Sequence, residues 1–154
     1  MTQSTDLVAL ARTLASGHTP GTVQVSRRVA GPSGPHTVRH ALDRAGSPLL
    51  LTAVDSPVDR ALTGSDGHDV ATVLAVPAPD GGHLWLSGWS TRLREPLLRA
   101  AVLEFAAAHP LPDLLDVGHG HAIHRMDVDE VHWELPDGRW IEIDPEEYAA
   151  GAAH

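Results

Sequence analysis

Apolar and polar positions are patterned most clearly between residues 37 and 93. They predict a strand (37–42), an apolar strand (48–54), a short helix (56–64), a second apolar strand (70–76) and a third strand (83–93). Asp80-Gly81-Gly82 joins the last two strands and is a hairpin signal, because aspartate and glycine tolerate the positive φ that tight turns need. Connections this short cannot carry parallel crossovers, so the sheet is expected to be mostly antiparallel. Before this region, a helix is predicted with Asp6 as cap, Leu7, Leu10, Ala11 and Leu14 on one face, and Gly17 as its stop. Residues 21–26 alternate as a strand, and residues 31–35 form a Gly/Pro loop. A second helix is predicted over 95–108, with Pro96 in its first turn. Leu97, Leu98, Ala101, Val102 and Phe105 make its apolar stripe, and His109-Pro110 ends it. A compact loop (111–120) leads to a strand over 122–135 whose phase changes midway. Met126 and Val128 share one face, and Val131, Trp133 and Leu135 take the other parity, which predicts a bulge near Asp129-Glu130. Pro136-Asp137-Gly138 turns into a strand over 139–143, and a last helical turn spans 144–148. The fold expected is α+β, a small antiparallel barrel with helices, as one domain over 1–154 with 1–5 and 150–154 frayed.

Composition narrows the chemistry. The 154 residues contain no cysteine, which excludes disulfides, thiolate catalysis, iron–sulfur clusters and Cys-based zinc sites. The formal charge is −9, with 11 basic residues scattered along the chain, which argues against a nucleic-acid partner. All the basic residues are arginine, a pattern that GC-rich coding bias explains. The absence of lysine still excludes Schiff-base chemistry and a lysine phosphate clamp. No apolar run reaches membrane-spanning length, and the first residues lack a secretory pattern, so the expected location is the cytoplasm without a membrane partner. Nucleophile-elbow, Walker and dinucleotide motifs are absent, which disfavours a hydrolase or nucleotide kinase.

Several side chains remain as candidates for chemistry. His119, His121 and His124 offer imidazoles for a haem or simply decorate a polar loop, and no carboxylate beyond Asp116 and Asp127 completes a metal set. Arg39 and His40 face opposite ways on one strand, so only one can line a groove. Trp85 and Trp89 share a face, where they either stack on a flat cofactor or pack in the core or against a second copy. Gly88 between them permits close approach by a ring system or a crossing strand. Trp133 and Trp140 flank a hairpin and read as cross-strand packing. Asp127, Asp129, Glu130, Glu142, Asp144, Glu146 and Glu147 make an acidic end, read as a solvated face. No catalytic residue is assigned.

Thr37-x-Arg39, Gly46-x-Pro48, Thr52 and Ser56 ahead of a short helix resemble the flavin-binding split barrels related to pyridoxamine-phosphate oxidase. His109-Pro110, residues 114–118, Arg125-Met126-Asp127-Val128 and residues 141–148 resemble the split-barrel part of haem-utilisation oxygenases and their actinobacterial relatives, which usually carry a further C-terminal helical module. The resemblance implies an FMN-type split barrel, a homodimer, and FMN or haem in a groove between two chains, with an oxidoreductase as the leading function. Carried over by position, Arg39 takes the phosphate, Thr52 and Ser56 support it, and Trp89 lies against the ring. The family's lysine two residues past the serine is Val58 here, so Arg60 is the substitute donor, while Asp55 and Asp59 oppose a dianion. The His-Thr-x-Asn signature of the haem branch is also missing. Haem held by His119, His121 or His124 is the alternative cofactor, and a cofactor-free dimeric regulatory module is the third reading.

Overall fold

The structure, a computed structural model, describes residues 2–25, 34–63 and 69–150. The elements in chain order are α1 (Thr2–Ala15), β1 (Gly21–Val25), β2 (His36–Leu42), β3 (Pro48–Ala53), α2 (Pro57–Leu62), β4 (Val70–Pro77) and β5 (His83–Arg92). Then follow α3 (Leu97–Ala108), a 3₁₀ turn (Pro112–Asp116), β6 (His121–Glu134), β7 (Trp140–Ile143) and α4 (Pro145–Ala150). The strands lie in the order β3-β2-β1-β4-β5-β6-β7, and a further β3–β6 ladder closes the first six into a ring with β7 outside it. Every ladder between named strands is antiparallel. Among the described residues no helix is long and apolar enough to cross a membrane.

The phase change read in the sequence is the device that closes the ring. Ser87 pairs with Glu130 and Gly88 with Val128, which leaves Asp129 as the extra residue of a bulge. Met126 on one side of it and Val131 and Trp133 on the other are therefore all buried in one cluster. That cluster fills the barrel with Val23, Val38, Leu50, Leu74, Leu84 and Leu86. A second one, built from Leu49, Leu51, Ile123, Phe105 and Leu114, seats α3 and the 3₁₀ turn on the outer face. Gly88 faces this bulge. A Cβ there would run into the Asp127 carbonyl oxygen, so the close approach it permits is that of the neighbouring strand.

Three sequence readings need correction. Helix α1 begins at Thr2, so Asp6 lies inside it instead of capping it. Its buried stripe is Val8, Ala11, Leu14 and Ala15, with Leu10 51% exposed. Trp133 is buried in the core whereas Trp140 is exposed and packs against Trp85, ring centroids 5.7 Å apart, because the two tryptophans face opposite sides of the sheet. The stretch 111–120 contains a 3₁₀ turn. The helix reading for Gly64 and most of the 31–35 loop fall outside the described residues.

Two histidines anchor the end of α1. The buried His40 ring meets the Ala15 and Thr19 carbonyls at 2.9 and 3.2 Å, and burial pushes its pKa down. His109 ends α3, but its Nε2 lies 2.6 Å from the Ser16 carbonyl, so its ring serves the C-terminus of α1. Closure at the bulge generates a prediction: Gly88→Ala should cost about 2–3 kcal/mol, since the added methyl group must displace backbone. Urea denaturation measures this, and an unchanged midpoint would contradict it.

Candidate functional site

The chemistry concentrates at the end of the barrel near α2. Ser56 caps this helix: its Oγ accepts from the Asp59 N–H at 3.2 Å and donates to the Ala53 carbonyl at 2.6 Å. Asp59, in the first turn, points inward and is 2% exposed. Its carboxylate accepts from His124 Nε2 at 2.8 Å, Thr52 Oγ1 at 3.2 Å and the Asp55 N–H at 3.0 Å, while Arg92 Nη1 stands 3.9 Å away. Thr52 on β3, His124 on β6 and Arg92 on β5 thus converge on one buried anion. A carboxylate only accepts, so His124 carries its proton on Nε2, and its buried Nδ1 has no partner among the described residues.

Burial alone would raise the Asp59 pKa, but the His124 and Asp55 hydrogen bonds, with the charges of His124 and Arg92, hold it at about 2. The depressed carboxyl contributes stability that is complete above the ordinary value of 3.8 and disappears as pH falls through about 2.

The residues expected to hold a flavin phosphate do not form one cradle in a single chain. Arg39 lies on the outer face of β2 and pairs with Asp113 of the 3₁₀ turn. Arg60 is exposed on α2, and the Thr52 and Ser56 hydroxyls are committed to Asp59 and the helix cap. Thr52 Oγ1 and the Asp55 N–H are turned onto Asp59 and the Ser56 hydroxyl onto the Ala53 carbonyl, so this donor set does not fit a phosphate dianion. Trp89 is 47% exposed on the outer face of β5, where its indole donates to the bulge residue Asp129 at 3.0 Å. Strands β2 and β5 stand three places apart in either direction around the six-strand ring, so Arg39 and Trp89 occupy opposite flanks of the barrel.

The histidines also separate. His124 is wholly buried with Asp59. His121 has Nδ1 3.1 Å from Asp116 and Nε2 3.6 Å from Asp113. His119 is exposed, and its ring has no partner among the described residues. His119 and His121 line an open cleft of about 560 Å³ with Arg92, Arg94, Leu98 and Val117. Its size lies within the usual range for small-molecule sites. Sequence reasoning flagged His119 and His121 but missed Arg92 and Arg94. The parity of β5 places Arg92 on the inward row with Ser90, yet only the folded barrel brings it to Asp59.

The Asp59 network predicts an acid-sensitive stability. Wild type should lose roughly 2 kcal/mol attributable to this carboxyl between pH 4 and pH 2, a loss that Asp59→Asn cannot show. Unfolding free energies across that range test it, and equal acid slopes for the two proteins would refute the assignment.

No family model matches the chain, and no curated protein matches it. Solved structures do match. A haem-binding protein from Mycobacterium smegmatis superposes with a TM-score of 0.68 at 20% identity, over 93% of this chain and 60% of its own, so this chain spans 60% of that neighbour's length. A candidate pyridoxamine 5′-phosphate oxidase from Listeria innocua gives 0.56 at 10% identity, over 86% of this chain and 98% of its own. General stress protein 26 from Bacillus anthracis gives 0.55 at 13% identity, over 88% and 98%. With its six-strand antiparallel ring, added strand and flanking helices, the chain has the split-barrel fold of these proteins.

Proposed function

We propose that this chain is a haem-binding split-barrel protein that works as a homodimer. The observation that carries the reading is the cleft in which His119 and His121 stand with two arginines and the apolar side chains of Leu98 and Val117. Imidazole is a common haem ligand, and apolar walls suit a flat porphyrin. The solved haem-binding neighbour supports the same choice. Bound haem would supply redox chemistry, and this chain would supply the ligand, the orientation and the exclusion of water.

A second reading is FMN binding by a small oxidoreductase, and one observation favours it. Arg39 and Trp89 are both accessible but lie on opposite flanks. A groove between two copies would bring the arginine of one barrel to the tryptophan of the other. Arg60 would then assist at the phosphate, and the flavin would supply hydride chemistry. Seating the β5 face of one copy against the β2 face of the other would cover Trp89, an exposed aromatic of the kind that anchors interfaces.

Titration of the purified protein separates the readings. Added haemin should shift its Soret band saturably, while FMN fluorescence should stay unquenched. FMN quenching without a haemin response would favour the flavin reading. Silence toward both would leave a cofactor-free dimeric regulatory module. Trp89→Glu should convert the dimer to monomer in sedimentation velocity without loss of folding, and a wild type that sediments as a monomer would reject the pairing.

A further inference from the structure

We infer that Arg92 and Arg94 form a carboxylate-binding pair at the rim of the His119 cleft, suited to the two propionates of an iron porphyrin whose metal His119 takes. This assignment rests on the haem reading above and adds the residues that would hold the ligand's acid groups and its iron.

The first support is charge. The protein carries a formal −9, yet the described lining of this cleft has two arginines against one acid, Glu95. The second is availability. Arg94 makes no ion pair among the described residues. Arg92 has Asp59 at 3.9 Å as its acidic neighbour, long enough to leave guanidinium donors for a ligand. The third is support from below. Asp59 is 2% exposed and fixed by His124, Thr52 and Asp55, so Arg92 stands over an immobile buried anion. A guanidinium offers paired N–H donors that match a carboxylate in the plane of both groups.

Elimination among the three histidines selects the iron ligand. The imidazole of His124 is shut inside the barrel on Asp59. Both nitrogens of His121 face carboxylates. His119 remains, exposed and lining the same cleft as the arginines. Leu98 and Val117 supply apolar wall to the same cleft.

Equilibrium titrations with haemin and with haemin dimethyl ester, followed at the Soret band, test the assignment. Haemin should bind wild type at least tenfold more tightly than the ester, and Arg94→Gln should remove most of that difference. Arg92→Gln should act in the same direction. Because Arg92 neighbours a buried charge, its folding is checked by circular dichroism, and the exposed Arg94 variant carries the test if it unfolds. His119→Ala should change the Soret position, and added imidazole should restore it. Equal affinities for haemin and its ester, or an unmoved Soret band in His119→Ala, would overturn the assignment while leaving haem binding itself in place. No haemin response from wild type would overturn both together.

Discussion

Closure of the sheet depends on β6. This strand pairs with β5 along its length, with β3 at its beginning and with β7 at its end, so one segment holds three neighbours. It can do so only because the bulge at Asp129 resets which side chains point inward. Without that reset, a run beginning with Met126 inside would turn Val131 and Trp133 to solvent. Each buried aliphatic or aromatic side chain is worth about 1.5–3 kcal/mol, so the register is strongly fixed. The same bulge aims Asp129 at the Trp89 indole on the outer face, which ties a feature of closure to the aromatic most available for contact.

The ring also decides what can meet what. Inward rows of β3, β5 and β6 bring Thr52, Arg92 and His124 to Asp59, residues far apart in sequence. A buried carboxylate with three hydrogen bonds and a nearby guanidinium is a satisfied group, consistent with its depressed pKa. Outward rows of β2 and β5 keep Arg39 and Trp89 apart. One chain therefore presents a buried polar network, an open cleft beside it and two unconnected outer features.

Much of the fold was legible in the sequence because it is written in local patterns. Alternation marked the strands, Asp80-Gly81-Gly82 marked the hairpin, and the parity shift after Val128 marked the bulge. Ser56 was read as a phosphate ligand although it stands three residues before Asp59, whose backbone N–H it caps. The phosphate role came from the family resemblance, and the cap is what this structure adds. The reading of α1 did need correction, and its origin is geometric. Leu10 fits the helical period as well as Val8 does, and only the position of the barrel decides which side is buried. Arg92, Arg94 and His119 share a cleft through pairings across the sheet, which no window along the chain reveals.

Magnitudes help to rank the cofactors. A unit negative charge placed about 5 Å from the Asp59 carboxylate would feel a repulsion of about 3 kcal/mol at an effective dielectric constant near 20, and a phosphate dianion about twice that. Arg39 cannot offset this locally, because it already pairs with Asp113 and faces outward. With no lysine anywhere in the chain, the start of α2 is poorly suited to phosphate. On the cleft side the same carboxylate is screened by a cation. There it underlies Arg92, and the guanidinium stands between the buried anion and any acid group arriving from solvent. An anion approaching the cleft meets the arginines first, whereas one at the head of α2 meets donors already spent on Asp59 and the Ala53 carbonyl. The buried charge thus disfavours the ligand position at the head of α2, while at the cleft Arg92 shields an incoming acid from it.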